Sequence, residues 1–205
     1  MARDSAATRE RILAAAVQEF SAFGLAGARI DRIADTATAN KRSIYVYFES
    51  KELLFAAALH RVIGELTEAV PVTEDDLPGY AGRVFDHLVD HPEALRMSMW
   101  RHLERPAAGP DEADAYARKL EAMTGTRQPG RAAAAASGLP ALDLLVLIQG
   151  LAASWLISPA DLLAADGGDP YSAERLAAHR AALVEAVWRI CTPRAGATGE
   201  TVPGG

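Results

Sequence analysis

Asn40 and Ser50 stand ten residues apart, and both are strong helix N-cap residues. Between them runs Lys41-Arg42-Ser43-Ile44-Tyr45-Val46-Tyr47, which predicts a helix of about two turns. It has one apolar pair at i, i+4, Ile44 and Phe48. So short a helix is not stable alone in water and must lean on its neighbours. The flanking sequence offers three. Thr8 caps a helix over 8–23, with Ile12, Leu13, Ala16, Val17 and Phe20 at helical spacing and Gly24 as its stop. After the loop Leu25-Ala26-Gly27, a second short helix is predicted from Arg29 to Thr36, with Ile30, Ile33, Ala34 and Ala37 on one face. The turn Ala37–Ala39 follows. Ser50 opens a fourth helix that carries Glu52 in its first turn and Phe55, Leu59, Val62, Ile63 and Leu66 as its stripe. Pro71 closes it.

The rest of the chain is helical too. Ala fills 43 of 205 positions, and Ala is the best helix former. β-Branched residues are sparse, which excludes a sandwich or barrel and leaves an all-α fold. Helices are predicted over Asp76–Val89, Pro92–Glu104, Asp111–Met123, Pro140–Ile157 and Ser172–Ile190. The Ala132–Ala136 run reads equally as helix or linker, and the Pro- and Gly-rich tail 192–205 reads as disordered. The apolar stretch Leu139–Ile157 has the length of a membrane span, but Pro140, Asp143, Gln149 and Ser154 interrupt it; a buried helix in a soluble, cytoplasmic chain is expected. A single cysteine, Cys191, excludes an intrachain disulfide and reads as a structural thiol.

Two short helices joined by a three-residue turn form a helix-turn-helix. The first braces the second, which is short enough to enter a major groove of duplex DNA with its polar side toward the bases. Lys41, Arg42, Ser43, Tyr45 and Tyr47 are the candidates for that outer face. Arg42 can fork onto a guanine, and the Val46 methyls can meet a thymine methyl. Lys51, beside helix N-terminal amides, suits a phosphate. The charge distribution agrees. The whole chain carries −6, but residues 1–52 carry +1, and between Arg29 and Lys51 five basic residues face three acidic ones. Tyr45 and Tyr47 read alternatively as packing residues of a helical core.

Residues 8–55 resemble the N-terminal DNA-binding domain of TetR-family transcriptional regulators. The resemblance rests on Arg11-Ile12-Leu13-Ala14-Ala15-Ala16, on Phe20 with Gly24, on Ile33-Ala34, and above all on the run from Lys41 to Glu52. It implies that Lys41, Arg42, Ser43, Tyr45 and Tyr47 form the recognition helix, and that Arg29 and Lys51 contact backbone phosphate. Three positions depart from the family pattern. Ala28 stands in place of a capping Thr or Ser, Thr38 in place of the turn Gly, and Val46 at a position often polar. The resemblance implies residues 1–55 as the DNA-binding domain and 56–191 as a helical domain for effector binding and dimerisation. The protein would be a ligand-responsive regulator, a repressor that binds a palindromic operator as a homodimer and is released by a small molecule.

The second domain carries fewer local signals. Pro140–Ile157 is apolar nearly all round and needs cover on every side. Leu176, Leu183, Val184, Val187 and Ile190 give the last helix its stripe. Two such helices from each of two chains would make a four-helix interface; alternatively both cover one monomer's core. Met97, Trp100, Tyr116, Met123 and Trp155 are candidates for a pocket taking an apolar or aromatic effector, although such stripes are also ordinary core. His87 and His91, four apart, have metal-ligand spacing but read as a solvated polar face, so neither metal nor cofactor is called for. An enzyme using His102, Glu104 or Asp143 lacks a nucleophile elbow, phosphate loop or dinucleotide fingerprint. The remaining alternative is an adaptor whose helix-turn-helix binds protein.

Overall fold

The structure, a computed structural model, describes residues 2–72, 75–104, 117–121, 138–165 and 167–192. The described residues are helices and connecting turns: α1 (Ala2–Gly27), α2 (Ile30–Thr36), α3 (Lys41–Phe48), α4 (Lys51–Ala69), α5 (Leu77–Asp90), α6 (Pro92–Glu104), α7 (Ala141–Ile157), α8 (Ala160–Leu163) and α9 (Ala173–Cys191). Residues 117–121 are also helical. The chain divides into two compact units, one of residues 1–71 and 83–119, the other of 72–82 and 120–205. The boundary falls within α5.

In the first unit α1 packs against α2, α3, α4 and α6. Its stripe Ile12, Ala16 and Phe20 is fully buried. The Phe20 ring meets Phe55 of α4 edge-to-face at 5.1 Å. Ile33 and Ala34 of α2, and Ile44 and Phe48 of α3, close this core from the other side. On α4, Phe55, Leu59 and Val62 are buried as predicted; Leu54 and Ala58 join them, while Ile63 and Leu66 stay partly exposed. The buried face is thus turned by one residue from the predicted stripe.

Two of the three predicted caps form: Asn40 Oδ1 accepts the Arg42 amide at 2.9 Å, and Ser50 Oγ accepts the Leu53 amide at 3.1 Å. Thr8 does not cap α1, because the helix begins earlier, at Ala2, and Thr8 lies inside it. The turn between α2 and α3 closes through Thr38 N–H to Asp35 O at 3.1 Å and Ala39 N–H to Ala34 O at 2.9 Å. Thr38 pays for it with φ 49°, in the left-handed region that glycine tolerates and a β-branched residue does not. Gly24 takes φ 68°, as a helix stop should, yet α1 resumes for three residues beyond it.

In the second unit α7 packs on α9. α7 buries Leu144, Leu145, Ile148, Ala152 and Trp155. It leaves Leu142, Val146 and Leu147 exposed, by 57%, 61% and 45%. Among the described residues, a helix apolar all round is therefore covered on one side only. α9 buries Leu183, Val187 and Cys191 and exposes Trp188. Burial pushes the Cys191 thiol up, away from the reactive thiolate. At Gly82 a side chain would strike Arg180 Nη2 at 2.9 Å, so α5 and α9 approach closely there. No helix among the described residues is long and apolar enough to cross a membrane.

The strain at Thr38 yields a prediction. Thr38→Gly relieves the left-handed penalty and loses part of that gain to unfolded-chain entropy, for a net stabilisation of about 0.5–1 kcal/mol. Urea denaturation should show a higher midpoint with an unchanged slope; a lower midpoint would mean that Thr38 is not strained.

Candidate nucleic-acid interface

α3 divides cleanly by face. Ile44 and Phe48 are buried, Ser43 and Tyr47 are partly covered, and Lys41, Arg42, Tyr45 and Val46 are exposed. Tyr45 is 50% and Val46 69% exposed, so the packing alternative for Tyr45 does not hold. Among the described residues the Arg42 guanidinium makes no hydrogen bond or ion pair, and it is available to an anion or a base edge. Tyr47 has a different setting. Its hydroxyl donates to Ser5 Oγ at 3.1 Å and ties α3 to the first turns of α1. The Arg9 guanidinium lies 5.0 Å over the Phe48 ring and reinforces the same contact.

Two of the other basic candidates, Lys41 and Lys51, already have partners. Lys41 Nζ meets Asp31 Oδ1 at 2.6 Å, linking α3 to α2. The Lys41 hydrogen bond holds the Asp31 carboxyl below its ordinary value. Both groups are half exposed, so the pair is weakly held and a phosphate can compete for the ammonium. Lys51 Nζ donates to Ala28 O at 3.2 Å and Ala26 O at 3.5 Å, binding the start of α4 to the end of α1. Arg29 is exposed at the N-cap position of α2.

The α2 N-terminus lacks a side-chain cap of its own: the N-cap is Arg29, one residue after Ala28, and its side chain makes no capping hydrogen bond. The deficit is made up from α1. Glu19, only 8% exposed, accepts the Arg29 amide at 2.8 Å through Oε1. The same carboxylate receives Arg32 Nε at 2.8 and 3.0 Å and pairs with Nη2 at 2.6 Å. Arg32 in turn donates to Gly27 O at 3.2 Å and stacks 4.2 Å over the Phe23 ring. A buried acid, capped and forked, thus locks α2 onto α1. Sequence reasoning missed it. The available signal was an acid three residues beyond Ala16 and next to Phe20, on the edge of the buried stripe.

The pocket candidates separate. Met97 is fully buried, and Trp100 donates its indole N–H to Ser21 O at 3.2 Å on α1; both belong to the first unit. Trp155 belongs to the second unit and lines a cavity of about 340 Å³ with Ser154, Ser158, Leu162, Arg175 and His179 among its walls. Arg175 lies 4.1 Å over the Trp155 ring and His179 stacks on it at 4.6 Å. Burial, then the Arg175 charge, lower the His179 pKa and favour its neutral form. Tyr116 and Met123, the Ala132–Ala136 run and the tail from 193 lie outside the described residues. His87 and His91 rings stand 4.5 Å apart. Burial, then His91, hold the His87 pKa down. Among the described residues no three His, Cys, Asp or Glu side chains gather as a metal site.

An all-α chain with a braced helix-turn-helix near its N-terminus defines a DNA-binding transcriptional regulator. Known proteins place it further. Residues 12–58 match the pattern of the bacterial regulatory proteins of the tetR family, and residues 76–189 match the tetracyclin repressor-like C-terminal domain. The chain belongs to the TetR family. It is 42% identical over 160 residues to the HTH-type transcriptional repressor SCO4008 of Streptomyces coelicolor, covering 76% of this chain and 81% of that one. It is 37% identical over 105 residues to the HTH-type transcriptional repressor NicS of Pseudomonas putida, covering 48% and 50%. Among solved structures, the S. coelicolor transcriptional regulator SCO4942 superposes with a TM-score of 0.75 at 40% identity, covering 89% of this chain and 97% of that one. A TetR-family regulator from Marinobacter aquaeolei, at 18% identity, shares the fold with a TM-score of 0.67 over 95% and 100% of the two chains.

The Glu19 lock is open to direct measurement. Glu19→Ala removes a charge-assisted hydrogen bond to a backbone amide and should cost about 1.5–3 kcal/mol of stability, read as a lower urea midpoint. A loss below about 0.5 kcal/mol, the range of ordinary surface substitutions, would show that α2 is held by its apolar face alone.

Proposed function

We propose that this protein is a ligand-responsive transcriptional repressor that binds a palindromic operator as a homodimer. The observation that carries this reading is the exposed polar face of α3, held rigidly from behind by α1 and α2. Arg42, Tyr45 and Val46 supply base-edge contacts, with Lys41, Ser43 and Tyr47 beside them on the same helix. Arg29 and Lys51 contact phosphate and fix the register. Two α3 helices of a dimer then enter successive major grooves about 34–36 Å apart. The names of the repressors from S. coelicolor and P. putida support repression over activation.

Residues 1–55 read DNA in this account, and residues 56–191 carry the effector site and the dimer face. The exposed apolar row of α7, with Trp188 on α9, supports pairing with a second copy of the chain. The cavity beside Trp155 supports an effector with an aromatic or apolar body. The effector releases DNA only if it binds the two conformations of the dimer unequally. No catalytic step is assigned to the protein, and its site of action is the cytoplasm, where the DNA is.

Selection of fragments from a random duplex pool by the purified full-length protein tests the reading. The expected product is an inverted repeat with half-sites about 10 base pairs apart, centre to centre. Arg42→Ala should cost about 1–3 kcal/mol and relax the preference at one position of each half-site. Arg29→Ala should weaken all sequences alike and reduce the salt slope by about one per half-site. Absence of any enriched duplex, or binding indifferent to salt, would contradict the proposal.

A further inference from the structure

The break at Gly24 is gripped by a helix outside the helix-turn-helix. Gly24 adopts φ 68° and ψ −178°, after which the chain resumes a single helical turn through Gly27. The amides that begin such a turn have no partner within it. Both are met by one carboxylate, that of Glu104, the last residue of α6. Leu25 N–H donates to its Oε2 at 2.6 Å and Ala26 N–H to its Oε1 at 3.3 Å. One turn earlier on α6, the Trp100 indole covers Gly24 itself. A side chain at position 24 would lie 2.7 Å from Trp100 Cε3 and 2.8 Å from Glu104 Oε1. Trp100 also donates to Ser21 O at 3.2 Å, so one residue grips α1 on each side of the break.

The gripped segment is the hub of the DNA-binding head. Gly27 O accepts from Arg32 of α2, while Ala26 O and Ala28 O accept from Lys51 of α4. Arg29 N–H, next in the chain, enters the Glu19 lock. Any displacement of residues 25–28 therefore reaches α2 and α3 through hydrogen bonds already described. A carboxylate in the last turn of a helix opposes that helix's own dipole, so Glu104 has no local reason to stand there. Its reason is the pair of amides on α1.

We propose that Glu104 and Trp100 are positioning residues for operator binding, clamping the α1 break and coupling the end of α6 to the orientation of α2 and α3. This rests on the DNA-binding reading above. Neither residue touches DNA in this arrangement; both act through Leu25, Ala26 and Gly24.

Hydrogen exchange and DNA binding, measured on the full-length protein with the duplex selected above, test the clamp. In the wild type, DNA binding should raise protection both in residues 24–29 and in residues 98–104, because coupling between two sites is reciprocal. In Glu104→Ala the Leu25 and Ala26 amides should exchange faster, and DNA should no longer protect 98–104. Affinity should fall about tenfold, within the usual range of coupling energies. The salt slope should stay unchanged, since no phosphate contact is lost. Glu104→Gln, which keeps one carbonyl acceptor for the two amides, should lie between. Wild-type affinity in Glu104→Ala would overturn the proposal, as would an α6 segment that ignores DNA in the wild type. That second measurement needs no variant and decides the matter even if Glu104→Ala fails to fold. Failure of the wild type to select any duplex would overturn the DNA-binding reading and this proposal together; selection with an indifferent clamp would overturn this proposal alone.

Discussion

Helices of seven and eight residues, such as α2 and α3, cannot hold themselves in water; their geometry is whatever their neighbours impose. The neighbour here is α1. It supplies Ile12, Ala16 and Phe20 to the shared core, and Glu19 to the N-terminus of α2. Ser5 adds a hydrogen bond to Tyr47 of α3. Apolar burial sets how deep the two short helices sit. The Glu19–Arg32 fork, being directional, sets how α2 is turned about its own axis, and the tight turn at Thr38 passes that setting to α3.

Much of this head was legible in the sequence because its signals are local. A cap acts within three residues, so Asn40 and Ser50 declared the starts of α3 and α4 correctly. Gly24 could be named from the chain alone, because glycine itself signals a positive φ; Thr38 could be named only through the family's turn glycine, and Glu49 at φ 63° carried no signal. The buried pair Ile44 and Phe48 followed from helical spacing, and with it the exposed setting of Arg42 and Tyr45. The Glu19 and Glu104 contacts could not be read in this way. Glu104 meets residues 78 and 79 positions away, and no local rule distinguishes it from a solvated helix-end acid. Gly24 therefore looked like a stop and is a break, because a distant carboxylate sustains the next turn.

The second unit was harder for a physical reason. A uniformly apolar helix such as α7 carries no phase information, so the sequence cannot say which side faces inward. Only packing in the folded chain separates the buried Leu144, Ile148 and Trp155 from the exposed Leu142 and Val146. The same blindness grouped Met97 and Trp100 with Trp155. Each is a large apolar side chain on a helix, but Met97 is fully buried in the first unit, Trp100 reaches Ser21 on α1, and Trp155 lines a cavity with Arg175 and His179. The polar wall residues of that cavity form two i, i+4 pairs, Ser154 with Ser158 and Arg175 with His179, but no local rule says that these two faces meet.

In the proposed complex α3 offers Arg42 and Tyr45 to the major groove. Methylation interference on the bound duplex asks this of the DNA itself, since guanine N7 lies in the major groove and adenine N3 in the minor groove. N7 methylation should block binding at two clusters one helical turn apart, and Arg42→Ala should remove the block at one guanine in each. Interference confined to adenine N3, or an N7 pattern indifferent to Arg42, would contradict it.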